Sequence, residues 1–199
     1  MPSSLNNVYA LVLAAGASSR MGSAKQLLPW QGKTLLEQAL STAQQLLAER
    51  VIVILGANAE LIQNQINLDG TSSVINHDWQ LGMAGSLQLG IKSLPADCQA
   101  ILILLCDQPL ITSQHLQQLL QIWLSHPQQI VASAYAQGLG VPVIFPAHYF
   151  TKLQVLTGDQ GAKRLLRDYA AQVISVEIPQ AALDIDRIED YQRLLDTLR

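Results

Sequence analysis

Arg20 and Lys25 stand in Leu13-Ala14-Ala15-Gly16-Ala17-Ser18-Ser19-Arg20-Met21-Gly22-Ser23-Ala24-Lys25, a stretch made almost wholly of small residues. No Asp, Glu, Lys or Arg precedes Arg20, the next cation after Lys25 is Lys33, and the first acid is Glu37. Small side chains and Gly16 let backbone N–H groups close on an anion without steric obstruction. Three cations beside such amides suit a triphosphate, whose charge a neutral loop could not hold. The alternative is a plain turn at Gly16 and Gly22 with solvated cations. The commoner phosphate loops are excluded: five residues separate the two glycines and Ser23 follows, which is not G-x-x-x-x-G-K-[ST], and no G-x-G-x-x-G occurs.

Asp107 is the second such group. From Cys98 through Thr151 it is the one Asp, Glu, Lys or Arg, and it closes Ile101-Leu102-Ile103-Leu104-Leu105-Cys106, the most apolar run of the chain. A carboxylate there loses hydration unless something positive or several donors compensate, and with no cation nearby in sequence a bound metal is the expectation, against a local turn before Pro109. A third group is Leu183-Asp184-Ile185-Asp186, where alternation puts both carboxylates on one side of an extended segment. Either could ligate a metal, with Asp186 preferred.

The elements that must position these groups are read from periodicity. Val8 to Leu13 is a buried strand opening into the small-residue loop. Leu35, Leu36, Ala39, Leu40, Ala43, Leu46 and Leu47 predict a helix over 34–49 with Thr34 near its cap. Strands over 51–55, 73–75, 100–105, 130–135 and 140–145 alternate with helices from Asn58 to Ile66, Ala84 to Leu94 and Thr112 to Trp123. Continuously apolar strands belong to parallel sheets covered by helices on both faces. The fold expected is therefore α/β, doubly wound, with a mostly parallel sheet, a Rossmann-like half and one domain over 1–199. Ligands sit beyond the carboxyl ends of such strands, so Asn76-His77-Asp78-Trp79-Gln80-Leu81-Gly82-Met83-Ala84-Gly85-Ser86-Leu87 should border the same crevice. Its free amides and the Ser86 hydroxyl can read a base edge, or Ser86 sits in a helix's first turn; His77 and Trp79 read as loop packing.

With 199 residues, 49% hydrophobic, the chain can bury a full core. Cys98 and Cys106 lack metal-ligand spacing and read as reduced structural thiols. A net charge of −3 gives no broad basic face, which argues against nucleic acid. No apolar run approaches the roughly 18 residues of a membrane span, so a cytoplasmic protein without a membrane partner is expected.

Leu13-Ala14-Ala15-Gly16, Ser18-Ser19-Arg20-Met21-Gly22, Lys25-Gln26-Leu27-Leu28-Pro29 and Gly32-Lys33-Thr34-Leu35-Leu36 resemble the signature of the MobA-like nucleotidyltransferases, and within them the molybdenum cofactor cytidylyltransferase branch. The likeness runs through Asn76 to Leu87, Asp107-Gln108-Pro109, Gly158-Asp159-Gln160-Gly161-Ala162 and Asp184-Ile185-Asp186. It implies transfer of CMP from CTP to the terminal phosphate of molybdenum-loaded molybdopterin, with release of pyrophosphate and with Mg²⁺. The implied roles are catalytic for Arg20, Lys25 and Asp107, and nucleotide-binding for Leu13, Ala14, Ala15, Gly16, Arg20, Lys25, Gly82 and Ser86. Gly158, Asp159 and Gly161 fall on the acceptor side, and Asp107 with Asp186 on the metal. A molybdoenzyme or its maturation chaperone follows as a protein partner. Guanylyltransferase relatives read Leu-Ala-Gly-Gly where this chain has Leu13-Ala14-Ala15-Gly16, so Ala15 adds a methyl group expected to face the base. Two departures stand out: Val141 replaces the histidine of a Gly-His-Pro, and Arg187-Ile188 replaces Thr-Pro. Another phosphorylated acceptor, GTP as donor, or a nucleotide-binding module without turnover are the competing expectations; a Rossmann oxidoreductase is disfavoured by the missing fingerprint.

Overall fold

The computed structural model describes residues 5–136 and 138–197. Seven strands form the central sheet: β1 (Val8–Ala14), β4 (Val51–Leu55), β5 (Ser72–Ile75), β6 (Ala100–Leu105), β7 (Ile130–Tyr135), β8 (Gly138–Pro146) and β9 (Val173–Glu177). A separate two-stranded ribbon is made by β2 (Pro29–Trp30) and β3 (Lys33–Thr34). The sheet order is β5-β4-β1-β6-β8-β7-β9, with β5, β4, β1 and β6 all parallel. This is the expected mostly parallel α/β sheet, with one strand reversed. β8 runs antiparallel to both β6 and β7. Only two residues separate β7 from β8, too few for the crossover that parallel neighbours require.

Helices cover both faces. On one side α1 (Leu35–Leu47), α2 (Ala59–Gln65) and α4 (Ser113–Ser125) bury Leu36, Leu40, Ile62, Leu116 and Trp123 against Ala10, Val12 and Ala14. On the other, α3 (Met83–Lys92), α5 (Phe150–Gln154) and α6 (Lys163–Asp168) bury Leu87, Ile91, Leu153 and Leu166 against Leu11 and Leu13. Alternate residues of β1 thus feed opposite cores, which is why the strand carries no charged side chain and is apolar throughout from Ala10 to Ala14. The α1 start is fixed by a capping box: the Thr34 hydroxyl accepts from the Glu37 amide at 3.2 Å, and Glu37 accepts from the Thr34 amide at 2.7 Å.

A third apolar cluster positions the end of the chain. Trp30, on the ribbon, packs with Leu35, Ile185 and Leu194 of α7 (Ile188–Thr197). Ile185 is fully buried there, and its amide donates to the Asp107 carbonyl at 2.9 Å. The segment flanking Ile185 is thereby tied to the carboxyl end of β6. Arg187-Ile188 starts α7 without proline, the Arg187 amide being capped by the Asp190 carboxylate at 3.0 Å.

Candidate active site

The loop after β1 is held from below by a side chain. Gln26, on a 3-10 turn over Lys25–Leu27, is 1% exposed and donates through Nε2 to the carbonyls of Ala14 at 2.8 Å and Gly16 at 2.9 Å. The Ser18 hydroxyl accepts from the Lys25 amide at 3.1 Å and donates to Gln26 Oε1 at 3.4 Å. The loop therefore folds back on its own downstream turn, which points Lys25 across the end of the sheet.

There Lys25 Nζ donates to Asp107 Oδ2 at 2.6 Å, to Asp186 Oδ1 at 3.1 Å and to the Ile185 carbonyl at 3.2 Å. Arg20 lies 3.6 Å from the other Asp186 oxygen. Residues far apart in sequence meet at one ammonium because β1 and β6 are neighbours and Ile185 is anchored beside them. The expectation that Asp107 has no cation nearby is corrected here: Lys25 is that cation, supplied by the adjacent strand's loop. Burial works against the Lys25 ammonium, but the charge and hydrogen bond of Asp107, aided by Asp186, outweigh it and raise its pKa far above the ordinary value. Burial pushes the Asp107 carboxyl upward, with Lys25 pulling the other way.

A cleft of about 390 Å³ opens above this pair, lined by Leu13, Ala14, Ala15, Gly16, Lys25, Gln26, Gly82, Ser86, Asp107 and Asp159. The structure thus gathers most of the residues singled out from sequence. Arg20 lies outside the lining and reaches the site through Asp186. Gly158 sits beneath Gly82, the Ala84 amide donating to its carbonyl at 3.0 Å. Gly82 has φ +99°, and a Cβ there would lie 2.4 Å from the Gly158 carbonyl atoms, so the close approach requires glycine. Gly161 lines a neighbouring cavity of about 340 Å³ with Asp159, Lys163, Arg164 and Arg167. Ser86 is 3% exposed and its hydroxyl accepts from Asn76 Nδ2 at 3.0 Å, which fixes the loop as well as facing the cleft.

Two further readings need correction. Lys33 does not join the cradle; its ammonium bonds the Ser41 hydroxyl at 2.9 Å, because β3 turns it onto α1. Trp79 is more than loop packing, since it also lines the cleft, close to Ala15 and Gly56. Neither Val141, whose carbonyl accepts from Gln108 at 3.3 Å, nor His148, set against the Tyr149 ring, lines the cleft. Cys106 does line it, but burial pushes its pKa up to about 12, so no thiolate nucleophile is offered. Gln26 and Ser18 stand within the motifs that carry the family resemblance, but that resemblance assigns them no role, and a neutral side chain in an aperiodic loop does not announce by charge or period that it holds the loop.

Among the described residues no group of three or more His, Cys, Asp or Glu side chains converges as a metal cage. Asp107 Oδ1, however, is buried and has no hydrogen-bond partner, and Asp186 faces the same ammonium. Two carboxylates fit a hard divalent ion that takes its remaining ligands from phosphate and water.

Residues 10–173 match the family model described as the MobA-like NTP transferase domain. The chain belongs to that family. This MobA-like domain is 32% identical over 200 residues to a protein of Paenarthrobacter nicotinovorans named nicotine blue oxidoreductase, covering 94% of this chain and 96% of the relative. It is 30% identical over 197 residues to the purine catabolism protein PucB of Bacillus subtilis, covering 90% and 91%. Among solved structures, Rv0371c of Mycobacterium tuberculosis superposes with a TM-score of 0.84 at 31% identity, covering 96% of this chain and 98% of that one. Rv0371c has also been solved in complex with manganese. The cluster of Lys25, Asp107 and Asp186 is thus the candidate centre of a nucleotidyltransferase domain.

Proposed function

We propose that this MobA-like domain transfers CMP from CTP to the terminal phosphate of a molybdopterin-type acceptor loaded with molybdenum, releasing pyrophosphate. The observation that carries the reading is the convergence of Lys25, Asp107 and Asp186 at the mouth of a cleft whose floor is the Gly16 loop. In the reaction an acceptor phosphate oxygen forms a bond to the α-phosphorus of CTP while the bond from that phosphorus to the bridging oxygen of pyrophosphate breaks. The attacking oxygen is already anionic, so no general base is needed, and none of the cleft residues is required as a covalent nucleophile.

Positioning and charge stabilisation do the work in chemistry of this kind. Lys25 and Arg20 move from carboxylate partners to phosphate oxygens, and the loop amides hold the triphosphate in line with the acceptor. Asp107 and Asp186 would hold a divalent ion, Mg²⁺ in this reading, which when bound neutralises charge building on the phosphate oxygens. Gly158, Asp159 and Gly161 border the acceptor, and the cytoplasm is the expected compartment; among the described residues no helix is long and apolar enough to cross a membrane. A molybdoenzyme or its maturation chaperone would receive the product.

A base preference follows from Ala15, which lines the cleft beside Gly56 and Trp79. A methyl group there disfavours the larger purine, and a mismatch of that size gives CTP at least about a tenfold advantage over GTP in kcat/KM. The test is a screen of CTP, GTP and ATP at matched subsaturating concentrations with molybdenum-loaded molybdopterin, sugar phosphates and alcohol phosphates, read by pyrophosphate release. GTP rates equal to or above CTP rates overturn the cytidylyl assignment and leave nucleotidyl transfer intact. The full-length likeness to a protein named nicotine blue oxidoreductase favours a second reading, redox turnover. An arm of the same screen with NADH or NADPH as hydride donor and an oxidised quinonoid dye as hydride acceptor measures it, and oxidation of the dihydronicotinamide matched by reduction of the dye, without pyrophosphate release, would replace the transfer reading.

A further inference from the structure

Gln26 has no place in the chemistry above, yet it is among the most buried polar side chains of the molecule. Both hydrogens of its carboxamide nitrogen are used, on the carbonyls of Ala14 and Gly16, and its oxygen accepts from Ser18. This orientation is fixed by chemistry: two carbonyl oxygens at one end of the group require the NH₂ there, and a hydroxyl hydrogen at the other requires the oxygen.

We infer that Gln26 is a positioning residue for nucleotide binding, setting the direction of the peptide planes that form the triphosphate loop. The inference rests on the proposed function. In a trans peptide the carbonyl and the following N–H point in opposite directions. Holding the carbonyls of Ala14 and Gly16 toward the carboxamide therefore turns the N–H groups of Ala15 and Ala17 away from it. Without that hold, the two carbonyls are free to rotate into the cleft, where an oxygen lone pair repels phosphate. Ser18 links the same carboxamide to the Lys25 backbone amide, while the Lys25 ammonium keeps its own seat on Asp107 and Asp186. The conformation is demanding, with Ser18 at φ +54°, and is held by these bonds rather than by an apolar plug.

The test compares wild type, Gln26→Met, which keeps volume and removes the amide, and Ser18→Ala. Mg²⁺·CTP is titrated by calorimetry, kinetics are measured by pyrophosphate release, and melting temperature is recorded in parallel. Gln26→Met is expected to weaken CTP binding and raise its KM by about tenfold, the affinity equivalent of leaving a buried acceptor unpaired. Its kcat at saturation should stay within about threefold of wild type, the pattern of lost uniform binding. Ser18→Ala should shift KM in the same direction by about threefold, and it decides the matter if Gln26→Met does not fold. Variants that melt earlier but bind CTP as the wild type does would make Gln26 merely structural and overturn the inference alone. A wild type that binds no nucleoside triphosphate overturns the proposed function with it.

Discussion

The two sides of the cleft are built by different forces. On the nucleotide side, Lys25, Asp107, Asp186 and Gln26 are held by hydrogen bonds and ion pairs between segments up to 161 residues apart. On the side proposed to face the acceptor, the turn carrying Gly158 to Gly161 is fitted by glycine contacts with Gly82 and Met83, and the charges of the following helix pair locally. Arg164 and Arg167 both lean on Asp168, at 3.6 and 3.8 Å, and all three are exposed. Buried charge that must be neutralised fixes a geometry, whereas exposed local pairs leave it adjustable at little cost. A domain of this design can keep one nucleotide site while its acceptor surface changes.

Lys25→Ala attacks the rigid side, and its kcat should fall by about 10²-fold, as when one transition-state donor is removed. It also leaves Asp107 buried without its ammonium, which raises the folded-state pKa of the carboxyl further above its unfolded value. The folded state then binds the proton more tightly, so stability of the variant should increase as pH falls from 7 toward the unfolded carboxylate pKa near 4. Melting curves across that range check the sign; a variant that loses stability on acidification contradicts the pairing.

Gly82→Ala strikes the seam between the two sides. The new Cβ must displace the Gly158 backbone in a left-handed conformation, an overpacking cost of about 1–3 kcal/mol that lowers the melting temperature by roughly 5 °C. An unchanged melting temperature would mean that the seam yields freely. The smallest effect is expected for Arg167→Ala, whose exposed ion pair should change stability by less than about 0.5 kcal/mol, with KM for the nucleotide unaltered. A large drop in nucleotide affinity would show that the acceptor side is not separable.

Much of the fold was legible in sequence because it is written in apolar periodicity. The bounds of β4, β6 and β7 coincide with their apolar runs, and Thr34 caps α1 as its residue type requires. The reversed direction of β8 was not legible, since strand patterning carries no sense of direction. In the site, glycines, the isolated Asp107 and the cations near Arg20 were visible as departures from a structural pattern. What brings them together was not: the Lys25 to Asp107 contact depends on strand adjacency, and the seat of Asp186 depends on Ile185 filling the pocket beside Trp30. Lys33, which looked equivalent to Lys25 by charge, is turned onto α1 by a two-residue strand too short to read.

On the proposed function, Asp107, set against Lys25, organises nucleotidyl transfer in this cleft. The most direct test is pyrophosphate release from CTP with molybdenum-loaded molybdopterin, measured over a Mg²⁺ titration for wild type and Asp107→Asn. The wild type should release pyrophosphate in step with formation of the cytidylyl-linked acceptor and stop on chelation. Asp107→Asn should fall by about 10³-fold, the rate equivalent of roughly 4 kcal/mol of lost charge stabilisation. Activity of Asp107→Asn within threefold of wild type at saturating Mg²⁺ would contradict the account.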